Sequence, residues 1–232
     1  MATMIASAPR TRSDDIFFPG LALLILGIVL TGFGRSYFLA GMIRANLPNR
    51  LVHVHGAVFV SWILLLVVQP WLVAARKVTW HRRLGLLSLI LLPAMSVLGV
   101  LTLFGLIRRA QPDEGPEMLL VGDLEILTLF VFLTCWGLLA RRDAASHKRL
   151  MILGTIAIMG PAIDRWDFGI PATLGIIFAL PLIVLAYDLW VLKRVHRTTA
   201  IATALTALWV FTLAPFSKLA VWHQLVGSIK HT

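Results

Sequence analysis

The chain has 232 residues, of which 59% are apolar and only 14% charged, too few charges to coat a water-soluble surface of this size. Its formal net charge is +10, yet the cations sit in short runs between apolar segments, with no basic stripe of interleaved aromatics, which excludes a nucleic-acid surface. The lone cysteine, Cys135, lies inside an apolar run, which excludes a disulfide framework and a CxxC redox motif.

Residues 1–16 read as a polar N-terminal tail carrying Arg10 and Arg12. The apolar run behind it is long and lacks a small-x-small cleavage site, so it reads as a retained helix rather than a signal peptide. Apolar stretches follow at 17–39, 51–75, 83–108, 118–140, 148–166, 170–193 and 199–222. Each suits a hydrocarbon core of about 30 Å, which about 20 helical residues cross. Helices satisfy their own backbone hydrogen bonds in lipid, so the expected fold is an all-α integral membrane bundle of about seven transmembrane helices over 17–222. Pro215 and Lys218 interrupt the last stretch, so six spans plus an interfacial segment is the alternative, with 223–232 a C-terminal tail.

Thirteen Lys and Arg residues fall in the N-terminal tail and the 2–3, 4–5 and 6–7 connections, against eight on the other side. The positive-inside rule therefore predicts a cytoplasmic N-terminus, in the inner membrane of a bacterium. The segment from Leu72 to Leu84 also matches that from Leu138 to Leu150 at an offset of 66, aligning His81 with His147 and Arg83 with Arg149. Both pieces join two helices on one side, so helices 2–3 and 4–5 read as a parallel repeat.

Ionisable residues gather at both ends of the bundle. At the non-basic end stand His53, His55, Asp123, Glu125, Asp164, Arg165, Arg35, Lys218 and His223. Glu125, Lys218 and His223 read as headgroup-level residues, whereas His55 and Asp123 lie about a turn inside their spans, where charge is costly. His55 with Asp123 and Asp164 has the chemistry of a zinc or other divalent-metal site, as in a membrane-embedded hydrolase. His55, Trp62 and Gln69, spaced by seven, keep to one face of helix 2 and read as a packing stripe or as contacts to a cofactor or pore. Gln69 beside Pro70 can also satisfy backbone groups freed by a helix break.

At the basic end, His81 and His147 begin helices at matching depth, as a bis-histidine haem requires. Arg83 and Arg149 beside them suit haem propionates, quinone oxygens or lipid phosphates. His196 and His231 read as solvent-exposed, and Asp188 as a structural partner of Arg194 or of a neighbouring basic loop. Pro93, Pro161, Pro171 and Pro181 read as bends. HExxH, GxSxG, P-loop and helix-opening GxGxxG motifs are absent from the sequence.

The pattern His53-Val-His55-Gly56, Trp62, Gln69, His81-Arg82-Arg83-Leu84-Gly85, Asp123, His147-Lys148-Arg149-Leu150-Met151 and Arg165 resembles a family of uncharacterised bacterial multi-pass membrane proteins. That resemblance covers about half the chain and implies architecture alone. A looser likeness is to haem-b membrane proteins of the cytochrome b561 and ferric-reductase-like groups. It implies an inner axial pair, His81 and His147, and makes His55 one ligand of an outer haem. The outer partner is a departure, since His223 is the only candidate besides the adjacent His53. The expected function is a membrane redox protein binding haem b or a quinone. The alternatives are the metal-dependent hydrolase and a transporter or accessory subunit of a membrane complex.

Overall fold

The computed structural model describes residues 12–39, 49–112 and 115–231, so most of the predicted N-terminal tail lies outside the described residues. These residues form helices and no strands: α1 (Asp14–Gly32), a π-helical turn (Gly34–Phe38), α2 (Arg50–Ala74), α3 (Val78–Gly85), α4 (Ser88–Arg109), α5 (Pro116–Leu139), α6 (Ala144–Ala157), α7 (Gly160–Asp164), α8 (Ile170–Leu192), α9 (Arg197–Ser217) and α10 (Ala220–His231). Six segments are long and apolar enough to cross a membrane: α1, α2, α3 with α4, α5, α8 and α9. Their outward faces are apolar, with Ile90 68% and Phe211 77% exposed. Such a girdle is a liability in water and the expected surface in lipid.

The fifth predicted span, 148–166, is the pair α6 and α7, broken at Ile158 and Met159. Ten of the fourteen α6 residues are buried, because α1, α5, α8 and α9 surround it. A helix walled by protein can be short and broken, since lipid never meets its freed backbone groups. Here the i→i−3 bonds of Ile158 and Met159 close the break, and Pro161 opens α7 where a missing N–H costs nothing. Close backbone approach holds this interior helix. A Cβ on Gly154 would stand 2.9 Å from Thr134 Oγ1, and one on Gly32 would collide with the Ala162 carbonyl at 2.1 Å. Small residues at helix crossings are the usual means of tight packing in membranes. At the centre, Trp62 is 1% exposed and meets Phe130 edge to face.

The last predicted span stops at Ser217, and the expected tail is helical. The α10 helix folds across the ends of α4 and α5, burying Val226 and Ile229 against Leu103, Ile107 and Leu120. It is fastened by exchanged C-terminal caps: Arg108 Nε donates to the Ile229 carbonyl at 3.3 Å, and Lys230 Nζ to the Ala110 carbonyl at 2.8 Å. Cations at helix C-termini complement the unpaired carbonyls there.

The repeat is present in the helix register. The α3 helix starts at Val78 and α6 at Ala144, an offset of 66 that matches the sequence alignment. The contacts also place the N-terminus of α1, the α2–α3 and α5–α6 connections and the α8–α9 connection at one end of the bundle. That end carries the basic loops and is called the basic face below.

Candidate functional site

On the basic face, His147 is positioned by the first turn of α6. Asp143 caps that turn, its Oδ1 accepting from Ala145 N–H at 3.1 Å and Ser146 N–H at 3.4 Å, and its Oδ2 from the Ser146 hydroxyl at 2.6 Å. Burial alone would raise the Asp143 pKa, but the Ser146 hydroxyl and these backbone N–H groups outweigh it and hold the carboxyl below its ordinary range. His147 Nδ1 then lies 2.8 Å from the carbonyl of Gly137. A carbonyl can only accept, so Nδ1 carries the proton and the neutral ring keeps its lone pair on Nε2. Gly137 permits this approach, since a Cβ there would stand 3.1 Å from both Leu150 Cβ and Met151 Sδ.

His81, on α3, lies beside His147 with ring centroids 6.2 Å apart and planes at 90°. The His81 Nδ1 is buried without a hydrogen-bond partner. Both polar atoms of the Gln69 side chain are also buried and unpartnered. The amide therefore does not repair the backbone at Pro70, through which α2 continues unbroken to Ala74. Three bare polar atoms in one corner are costly inside a membrane protein. Arg83 is exposed, with its guanidinium 5.7 Å from the Trp80 ring.

The neighbouring polar group is complete. Arg149 is 2% exposed and Asp188 0%. Arg149 Nε donates to Asp188 Oδ1 at 2.8 Å, Nη2 donates to the same oxygen, and Nη1 donates to the Ala145 carbonyl at 2.9 Å. The other carboxylate oxygen accepts the Thr199 hydroxyl at 2.6 Å and the His196 N–H at 3.1 Å. Of the two arginines expected to meet propionates, Arg149 is thus committed to a carboxylate, and Asp188 is held from the neighbouring basic segment rather than by Arg194. Lys148 pairs with Asp14 at 2.6 Å, and Asp14 also accepts the Tyr187 hydroxyl at 2.9 Å. His196 is half-buried rather than solvent-exposed and caps α9 by accepting from Thr198 N–H. Burial, with the Arg149 charge second, holds its pKa below the ordinary 6.5.

At the opposite end the predicted residues divide. The Thr102 hydroxyl donates to the Leu98 carbonyl at 2.7 Å, so His55 Nδ1, 3.2 Å from Thr102 Oγ1, is the donor of that pair. The His55 ring stacks on Phe59, while His53 meets the Tyr37 hydroxyl at 3.1 Å, on another side of α2. Arg165 is close enough to act electrostatically on both His55 and Asp123; it also donates to the Pro161 carbonyl and covers the Phe33 ring. Asp164 is exposed. No group of three His, Cys, Asp or Glu side chains placed to hold a metal ion occurs among the described residues, His55, Asp123 and Asp164 included. Glu125, expected at headgroup level, has its Oε2 buried and unpartnered, and His223 pairs with Glu117 at 2.8 Å.

The helix 2 stripe is therefore graded along its length. His55 is met by Thr102 of α4 and Trp62 by the Thr155 hydroxyl of α6 at 3.1 Å, but the Gln69 side chain has no partner. Sequence reasoning missed the Gly137 carbonyl as the group that orients His147; a backbone acceptor ten residues away leaves no side-chain signal. Comparison with protein-family models, with curated proteins and with solved structures finds no match.

Proposed function

We propose that this chain is a membrane redox protein that holds haem b on its basic face between His81 and His147. The observation that supports this reading most is the pair itself. The two imidazoles lie 6.2 Å apart on separate helices, and each leaves one nitrogen bare. The other nitrogen of His147 is held by the Gly137 carbonyl at 2.8 Å. Histidines that bind metals are commonly oriented in this way, the second nitrogen donating to a carbonyl while the first faces the metal. Two imidazoles that each bind one metal at about 2 Å place their ring centroids roughly 5–6.5 Å apart, so the spacing fits.

Haem, when bound, supplies a one-electron couple whose potential depends on its axial ligands and on their hydrogen bonding. The chain's own part is to fix the His147 tautomer through the Gly137 carbonyl and to bring the His81 ring of α3 beside it. Arg83 is the arginine left to meet a carboxylate, being exposed on α3 two residues beyond His81. The positive-inside rule puts this face, and the N-terminus with it, in the cytoplasm of a bacterium with the site at its inner membrane.

The deciding experiment is a dithionite-reduced minus oxidised visible spectrum of the detergent-purified protein. A Soret shift and an α band of haem b are expected, and both are lost in His81→Ala and His147→Ala variants. A colourless protein that takes up no added haemin overturns the reading.

A further inference from the structure

The Gln69 corner of the basic face has polar groups that the histidine pair does not use. Gln69 lies five residues before the end of α2, about 7.5 Å along the axis from the helix end. A Cβ on Gly85 would stand 3.8 Å from Gln69 Nε2, and Gly85 is one turn beyond His81 on the same face of α3. The amide therefore adjoins the histidine site, and its donor and its acceptor are both buried without partners. The adjoining stretches of α2 and the α3–α4 segment expose apolar side chains, Val68, Leu86 and Leu89, of the kind that suits a lipid surface.

A molecule that reaches this corner comes through the bilayer and must offer hydrogen-bonding oxygen to an amide. An amide has a particular virtue here, because it presents N–H donors and a carbonyl acceptor from one side chain. A ligand that alternates between a carbonyl and a hydroxyl can be held in both forms, the carbonyl by Nε2–H and the hydroxyl by Oε1. Lys or Arg in this place offers donors alone, and Asp or Glu as a carboxylate offers acceptors alone.

We propose that the Gln69 amide is the hydrogen-bonding end of a binding site for a lipid-soluble quinone and its quinol. This inference rests on the redox reading for its use but not for its test. A phospholipid ester carbonyl has the same acceptor chemistry and reaches the corner by the same route, so the experiment separates the two.

The protein is placed in nanodiscs of defined phospholipid, labelled with an azido-ubiquinone, and the adduct is located by peptide mass spectrometry. Labelling is expected on the Gln69 end of α2 or on α3, with competition by short-chain ubiquinone-1 and none by added diacylglycerol. Gln69→Leu is expected to weaken ubiquinone-1 competition roughly tenfold, the effect of losing one or two hydrogen bonds to a buried group. Gln69→Asn, which keeps both groups on a shorter stem, is expected to fall between. Labelling that diacylglycerol competes away, labelling elsewhere, or an unchanged Gln69→Leu variant overturns the inference. The haem spectrum taken on the same samples keeps the two proposals apart. A coloured protein with no Gln69-dependent labelling refutes the quinone site alone, and a colourless one that labels as expected refutes the haem alone.

Discussion

Arg83 and Arg149 stand at the same place in two copies of one loop motif, 66 residues apart, and their surroundings are opposite. Arg149 is 2% exposed, with Asp188 and the Ala145 carbonyl engaging its guanidinium. Arg83 is exposed, with the Trp80 ring beneath it. The cause is the position of the two helices. Neighbours enclose α6, whereas α3 packs mainly on α2 and α4 and meets α6 through the His81 and His147 rings. A buried guanidinium demands a carboxylate, and α8 supplies Asp188 at the right depth. An arginine at the rim makes no such demand. The repeat sets residue type and register, and packing then decides which copy becomes framework and which remains available to a ligand.

The largest effect should come from cutting the framework copy. Arg149→Ala or Asp188→Ala, each leaving a buried charge alone, is expected to cost about 3–5 kcal/mol of stability. The double replacement Arg149→Ala with Asp188→Ala should cost clearly less than the two single changes added together, because no charge is then stranded. Reversible unfolding of the four proteins in mixed micelles checks this as a double-mutant cycle. Additive costs, or single variants as stable as the parent, would break the contrast between the two loops.

A smaller effect separates the loops by pH. The cap of α6 is Asp143, which makes side-chain hydrogen bonds to its first turn, while the cap of α3 is Lys77, which makes none. Asp143→Ala is expected to cost about 1 kcal/mol and Lys77→Ala almost nothing. Because the folded pKa of Asp143 is depressed, its contribution is present above the ordinary 3.8 and is lost as pH falls below that value. His196, which caps α9 beside the same buried ion pair, has its folded pKa lowered by burial first and by Arg149 second. The unfolded chain thus protonates first, and the His196 contribution is whole above 6.5 and is lost as pH falls below it. Stability measured against pH should show an upper decline that His196→Asn makes shallower and a lower one that Asp143→Asn makes shallower. A flat profile between pH 7 and 5 in the parent would refute the first of these assignments.

These contrasts also mark how far the sequence alone could be read. Apolar stretches of sufficient length exposed the spanning helices, and the alignment of His81 with His147 exposed the register at which α3 and α6 begin. The break at Ile158 and Met159 was not legible, because an interior helix and a lipid-facing one share the same apolar composition. The α10 helix was read as a tail because it is short and its fastening lies in distant carbonyls, those of Ala110 and Ile229. At the site, the two histidines were legible as a pair of equal depth. The partner of Arg149 was not, because nothing local records that α8 passes beside α6. Gln69 was legible as a polar residue on the helix 2 stripe, but its lack of a partner depends on every neighbouring side chain at once.

A substitution with little expected effect on stability is the most informative about function. Arg83→Ala removes an exposed guanidinium whose recorded neighbour is the Trp80 ring, so unfolding should shift by no more than about 0.5 kcal/mol. If Arg83 is the free copy, the same change should weaken haemin uptake by the purified protein while leaving the His81 and His147 ligation spectrum of whatever haem is bound unaltered. Arg83→Lys should restore part of the loss, since a point charge still meets a carboxylate but without the planar two-pronged geometry. An Arg83→Ala protein as unstable as Arg149→Ala would place both arginines in the framework. A stable one with parental haemin uptake would leave the carboxylates of the ligand to another cation, and the exposed neighbour Arg82 is then the next to remove.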